Sequence, residues 1–184
     1  VYAHWGWGDA VTAYGHDHWN LVARDQDSGR IAGALPLTHV ESRLFGSRLL
    51  SPAFAERGSL TLGGNDSEAV THLLLERARQ MAADLGVDSV SLRGSRVQEA
   101  EDFERQRRYV TFHTDVGRDP DAVWADLKDS RQRQIEGAAD DPSLRFRIGT
   151  SITDLREYYR LYLRSMRGHG TPPHSFAFFE TLWD

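Results

Sequence analysis

The chain has 184 residues, enough for one good-sized domain or for one domain with part of another. Hydrophobic residues make up 40% and charged residues 27%, an ordinary balance for a globular protein, and no apolar run approaches the roughly 18 to 20 residues that span a bilayer. A net charge of −5 argues against a general nucleic-acid binder and leaves room only for a local basic patch, while the absence of cysteine excludes disulfides, thiolate nucleophiles and Cys-based zinc sites.

The opening "VYAHWGWGDA" has neither an initiator Met nor the basic and apolar regions of a signal peptide. The text closes only a few residues into a helical pattern, so both ends read as trimmed, and the cytoplasm is the default compartment. Lys128 is the single lysine; arginine supplies the remaining positive charge. That bias suits GC-rich coding or life in high salt and specifies no activity.

In chain order, a short helix is expected from Asp9 to Tyr14. Apolar residues on either side of "DQDSG" in "NLVARDQDSGRIAGALPLTHV" predict a β-hairpin. Pro36 belongs at a strand edge or bulge, because it cannot donate to a ladder. "SRLFGSRLLSP" reads as a turn and strand, and "SLTL" as a shorter strand. Val70, Leu74, Ala78, Met81, Ala82 and Leu85 then recur at helical spacing. Asn65, Asp66 or Ser67 can cap that helix and Gly86 ends it. "VDSVSLR" predicts a buried strand, and residues 93–108 a polar loop or exposed helix. "YVTFHTDV" alternates as a strand. Asp119-Pro120 is an N-cap followed by proline at the first helical position. The helix it opens carries Val123, Trp124 and Leu127 and is expected to run through "KDSRQRQIEGAADD" to Pro142. "LRFRI" alternates again as a strand. In "SITDLREYYRLYLRSMRGHG", Leu155, Tyr158, Tyr159, Tyr162 and Met166 share a helical face, and Gly168 and Gly170 stop it.

Three stretches, "GRIAGALPLTHVESRLFGSRLLSPAFAERGSL", "DSRQRQIEGAADD" and "SMRGHGTPPHSFAFFETL", together resemble the FemAB-like branch of the GNAT-type acyltransferases. The resemblance spans nearly the whole chain, but only the front half of such a protein. It implies an α/β fold, a GNAT-like mixed and largely antiparallel sheet with helices on its faces, followed by the start of a second similar unit. Residues 1–118 would be the first unit. Residues 119–184 would be a linking helix and the incomplete start of the second. The "GHGTPP" loop would then overhang the acceptor site and bring Arg167, His169 and Thr171 near substrate. Its competing reading is a plain connector, with glycines ending one helix, prolines forbidding its continuation and Ser175 capping the next.

GNAT enzymes that use acyl-CoA cradle its pyrophosphate on a strand–loop–helix junction led by Arg or Gln. The equivalent place is "SLTLGGNDSEAVTHLLLERA". It lacks that pattern and puts Asp66 and Glu68 at the helix start, where carboxylates cap the helix and repel a diphosphate. No CoA is therefore expected at Gly63–Ser67, and no other cofactor. FemAB-like proteins resemble GNAT enzymes in fold but use aminoacyl-tRNA or another activated acyl donor, so the implied partners are such a donor and an amine acceptor.

Lys128, Arg131 and Arg133 lie within two helical turns. They read either as a face that holds phosphate, from a tRNA end or a lipid-linked acceptor, or as a solvated helix C-terminus whose cations complement the dipole. Lys128 and Arg131 can share a side; Arg133 points elsewhere. His16 and His18 have no third ligand at recognisable spacing, so no metal site is assigned. His39 and His113 sit at strand positions, and no residue is singled out as catalytic. The helical spacing of Tyr158, Tyr159, Tyr162, Phe176 and Phe179 favours core over a base-stacking platform.

The resemblance thus implies an N-acyltransferase, related to cell-envelope chemistry, in which an amine attacks an activated ester directly. Catalysis would come from positioning and from donors around the oxyanion. These 184 residues alone are expected to be inactive. A non-catalytic scaffold or acceptor-recognition module, and an RNA-binding fragment using Lys128 to Arg133, are the alternatives.

Overall fold

The computed structural model describes residues 4–58, 60–63, 67–94, 103–104, 106, 110, 112, 115–117 and 119–183, with Ser67 described by its backbone alone. In chain order the elements are α1 (Gly6–Thr12), β1 (Asp17–Arg24), β2 (Ile31–Ser42), β3 (Gly46–Ser51), β4 (Thr61–Leu62), α2 (Ser67–Leu85), β5 (Ser89–Leu92), α3 (Pro120–Ala125), α4 (Asp129–Asp140), α5 (Ile152–His169) and α6 (Phe176–Trp183). They form two compact units, one of Val1–Phe103 with Ser151–Asp184 and one of Glu104–Thr150. The architecture is α/β, with a mixed, mostly antiparallel sheet and helices.

The first unit holds the sheet, in the order β1-β2-β3-β5, with β4 also paired to β2. β1 and β2 form the expected hairpin, with Leu21 opposite Leu35 and Trp19 opposite Leu37. Its turn is built by Asp25, whose Oδ1 accepts from the backbone N–H (2.7 Å) and the hydroxyl (2.6 Å) of Ser28. β3 runs antiparallel to β2 and parallel to β5, which arrives by way of α2. β5 is half-buried rather than fully buried, and among the described residues it lies at the edge of the sheet.

β2 is central. Its second side is paired to β3 along 38–42 and to β4 at Gly33 and Ala34. β3 and β4 therefore lie end to end along β2, interrupted by the excursion 52–60, and Pro36 falls in the unpaired gap between them. The proline sits inside the strand rather than at an edge, at the place where the ladder is already broken.

One face of the sheet is covered by α2. Leu35, Leu37 and Leu49 are wholly buried there with Leu74, Leu75 and Ala78, and Val70, Met81 and Val90 pack around them. The helical repeat read from the sequence is the one that meets the sheet, except for Leu85, which is exposed, and with Leu75 added. Gly33 admits the helix: a Cβ there would come within 2.6 Å of Val70 Cγ1. Gly86, at φ +63°, ends α2 as a left-handed cap, with Val87 N–H donating to Ala82 O and Gly86 N–H to Ala83 O, both at 3.1 Å.

On the other face, Trp7, Ala10 and Val11 of α1 join Ala53, Ala55 and Phe178 in a second cluster. α1 starts three residues before the expected Asp9 and ends before Tyr14, because the His4 ring and carbonyl take the first amides, Gly6 N–H at 3.2 Å and Trp7 N–H at 3.0 Å. α5 opens on a capping box, in which Ser151 Oγ accepts from Asp154 N–H and the Asp154 carboxylate accepts from Ser151 N–H.

In the second unit Asp119 caps α3 and Pro120 fills its first position, as expected. The single long helix does not form. Leu127 N–H turns back to Trp124 O at 3.0 Å, Lys128 is extended at ψ 140°, and α4 begins afresh at Asp129. "LRFRI" is not a strand: residues 144–148 lack strand pairing and expose Leu144, Phe146 and Ile148. The expected strand 109–116 lies partly outside the described residues, and its described Val110, Phe112 and Val116 are exposed and unpaired in any ladder. Alternation makes a strand only where a neighbour supplies the other half of the ladder. No helix among the described residues is long and apolar enough to cross a membrane.

Candidate functional site

The stretch "RGHGTPPHS" joins α5 to α6 in the first unit. Gly170, at φ +65°, ends α5 in a Schellman turn, with its N–H on Arg167 O (3.2 Å) and Thr171 N–H on Met166 O (3.1 Å). Arg167 and His169 are exposed in the last helical turn, where positive charge complements the dipole, and Thr171 is exposed just beyond it. None of the three has a side-chain hydrogen bond among the described residues.

The residue that the surroundings grip is His174. Its backbone N–H donates to Tyr162 Oη at 3.0 Å, and its carbonyl accepts from the Tyr159 hydroxyl at 2.9 Å. Its Nδ1 lies 3.1 Å from Tyr14 Oη, which also accepts Ser175 N–H at 2.8 Å. Three tyrosine hydroxyls thus hold one half-buried histidine by its donor, its acceptor and its ring. Two of those tyrosines come from the α5 face that the helical spacing assigns to core, and the third comes from the other end of the chain.

The ring of His174 stacks on Phe178 with centroids 4.6 Å apart, and meets Phe54 edge-on at 5.5 Å. Phe54 also contacts Tyr14 (5.3 Å) and His16 (5.7 Å). Its φ of +55° is a left-handed conformation that costs a non-glycine residue about 1–2 kcal/mol. Two anchors hold it there, one buried and one partly exposed: Trp7 Nε1–H donates to Ala53 O at 2.9 Å, and the Arg93 guanidinium to Ala55 O at 2.8 Å. Side chains on both flanks of Phe54 therefore stabilise a strained loop that presents the ring to two imidazoles.

Burial lowers the pKa of His174 below its ordinary value. His16 is lowered by burial and then by the neighbouring charge of His39, against a smaller opposite pull from Asp17. His18, lowered by burial, sits against Gly8 with Nδ1 2.9 Å from Thr38 Oγ1. His39 Nε2 lies 2.7 Å from Ser47 Oγ. At neutral pH burial thus favours the uncharged imidazole at His16, His18 and His174. His16 meets Tyr14 and Phe54 while His18 meets Thr38, and among the described residues no three His, Asp or Glu side chains gather as a metal site.

Lys128, Arg131 and Arg133 belong to the second unit. Lys128 is the N-cap residue of α4, and Arg131 and Arg133 fall in its first two turns. The reading of these cations as a helix C-terminus is thereby corrected: they stand at the positive end of the dipole, where they oppose it. Arg131 donates to Gln134 Oε1 (2.9 Å) and Arg133 to its own helix at Asp129 O (3.3 Å), while Lys128 is exposed.

The Gly63–Ser67 junction, expected to refuse CoA, lies outside the described residues at Gly64, Asn65 and Asp66. Gly63 itself sits against β2, its N–H on Ala32 O at 2.8 Å. Sequence reasoning missed His174, Tyr14 and Phe54 as a group. The signal available was a lone histidine wedged between Pro172-Pro173 and the Ser175 cap, where a mere connector needs no ring. Compared with protein-family models and with curated protein sequences, the chain matches none.

Proposed function

We propose that this chain is part of an N-acyltransferase of the FemAB-like type, in which an amine attacks an activated ester. In that reading residues 1–118 are a GNAT-like fold and residues 119–184 lead into a second such fold. The observation that carries it is the construction of "SMRGHGTPPHSFAFFETL", one of the three stretches in the resemblance. It forms a loop whose histidine is fixed by three hydroxyls while its flanking Arg167, His169 and Thr171 stay exposed. Such preorganisation at an exposed edge suits acceptor recognition. The mixed sheet with one parallel pair, β3 with β5, is what the resemblance implies and supports it further.

In this reading the donor is an aminoacyl-tRNA or a similar activated ester, which places the reaction in the cytoplasm, and CoA has no part in it. Lys128, Arg131 and Arg133 hold donor or acceptor phosphate. The test is acyl transfer by the full-length protein, with mixed aminoacyl-tRNA and p-nitrophenyl acetate as donors and glycinamide as acceptor, read by mass spectrometry. Acylated glycinamide above the uncatalysed rate supports the reading; none with either donor sinks it.

A second reading, RNA binding without catalysis, is favoured by the basic start of α4. Three cations that oppose the helix dipole are not explained by helix stability, although Asp129 beside them offsets part of the cost. RNA affinity that falls steeply with salt, in a protein that transfers no acyl group, would select this second reading.

A further inference from the structure

We propose that His174 is a catalytic residue, whose Nε2 takes the proton that the attacking amine sheds, and that Tyr14 is its positioning residue. The inference rests on the acyl-transfer reading and adds to it the identity of the base.

A loop that only joined α5 to α6 would need none of the observed construction. Gly170 and the two prolines already end α5, and Ser175 already caps α6, its Oγ accepting Phe178 N–H at 3.4 Å. The three tyrosine hydroxyls are additional to that. They fix the backbone and the ring of His174 together, which is what a proton-transferring imidazole requires and a spacer does not.

Nδ1 is occupied by Tyr14, and Nε2 has no partner among the described residues. Nor is Nε2 sealed off: among the described residues the single buried side-chain nitrogen or oxygen without a hydrogen bond is Ser51 Oγ. In the tautomer that donates Nδ1–H to the Tyr14 oxygen, Nε2 keeps its lone pair. After Nε2 takes a proton, the imidazolium still has that acceptor. The groups packed on the ring are Tyr14 from the turn after α1, Phe54 from the excursion between β3 and β4, and Phe178 from α6; His16 lies beyond Phe54. Tyr159 and Tyr162 from α5 hold its peptide groups. No carboxylate or guanidinium among the described residues pairs with the ring, so burial alone acts on its titration and keeps it uncharged and ready at neutral pH.

The step balances without a further reactant. The amine nitrogen forms the new C–N bond at the ester carbonyl, and its proton passes to Nε2. The C–O bond to the leaving alcohol then breaks, and the imidazolium returns the proton to the departing oxygen.

The experiment uses the full-length protein, p-nitrophenyl acetate and mixed aminoacyl-tRNA as donors, and glycinamide as acceptor, from pH 5 to 9. His174→Ala should lose about 100-fold or more in kcat with KM nearly unchanged, lose the acid limb of the pH profile, and recover rate when free imidazole is added. Tyr14→Phe should lose less and move the acid limb. Circular dichroism confirms that each variant folds, and His174→Asn stands in should the alanine variant fail to. A variant that keeps the wild-type kcat or the wild-type acid limb overturns the role of His174 and leaves the acyl-transfer reading standing. A wild-type protein that transfers nothing from either donor overturns both, so the two failures are distinct.

Discussion

Tyr14→Phe isolates one hydroxyl whose two hydrogen bonds reach across 160 and 161 positions of sequence. The ring contacts with Phe54 at 5.3 Å and Phe178 at 5.4 Å do not involve that oxygen and remain. A neutral intramolecular hydrogen bond contributes about 0.5–1.5 kcal/mol net. Ser175 is exposed, so its released N–H finds water, whereas Nδ1 of the half-buried His174 is only partly rehydrated. The expected loss is therefore about 1–2 kcal/mol, which for a chain of this length lowers the melting temperature by roughly 2–4 °C per kcal/mol. Urea unfolding at pH 8, where His174 is uncharged in folded and unfolded chains alike, measures it as a lower midpoint at constant slope. A double-mutant cycle with His174→Ala should show coupling of at least about 0.5 kcal/mol. A change below about 0.3 kcal/mol would mean that the hydroxyl ties nothing together. A loss above about 4 kcal/mol would exceed what two neutral bonds can supply and would place the effect in ring packing instead.

Acid should destabilise the fold through its half-buried histidines. The folded-state pKa values of His16, His18 and His174 lie below the unfolded value of 6.5, so between the two the unfolded chain binds more protons. Stability is then full above pH 6.5 and falls as the pH drops below it; urea midpoints between pH 5 and 7.5 check this, and His18→Asn should flatten the slope. Gly33→Ala, whose Cβ meets Val70 Cγ1, should cost about 1–3 kcal/mol by overpacking, and Val70→Ala in the same chain should recover part of that loss. Trp7→Phe keeps the ring against Phe178 but strips Ala53 O of its buried donor, and should cost about 1–3 kcal/mol in thermal unfolding.

Where a feature depends on a few consecutive residues, it was legible from the text. Asp119-Pro120 opens a helix by its own chemistry, Gly86 closes one because it alone tolerates the left-handed turn, and the α2 repeat needs only a flat apolar partner. The hairpin around Asp25 is equally local. Segments 110–116 and 144–148 show the limit of such patterns. Their alternation matches that of true strands, but the partner that would complete a ladder is not encoded in the alternation, and the described residues stay exposed. The break at Asp126–Lys128 was illegible for the opposite reason: every residue there tolerates a helix, and the early restart at Asp129 reverses which end of the dipole Lys128, Arg131 and Arg133 occupy.

The sequence by itself determined the hairpin, the amphipathic α2, the Gly86 end of α2, the Asp119 cap of α3, and an α/β architecture, because each follows from interactions within one or two turns or strands. Only the tertiary structure decided that Pro36 sits in a gap between two collinear strands, that Phe54 is held in a strained loop by Trp7 and Arg93, and that Tyr14 meets His174. Those pairings depend on which surfaces the folded chain brings together, and a one-dimensional pattern carries no information about contacts more than a hundred residues apart.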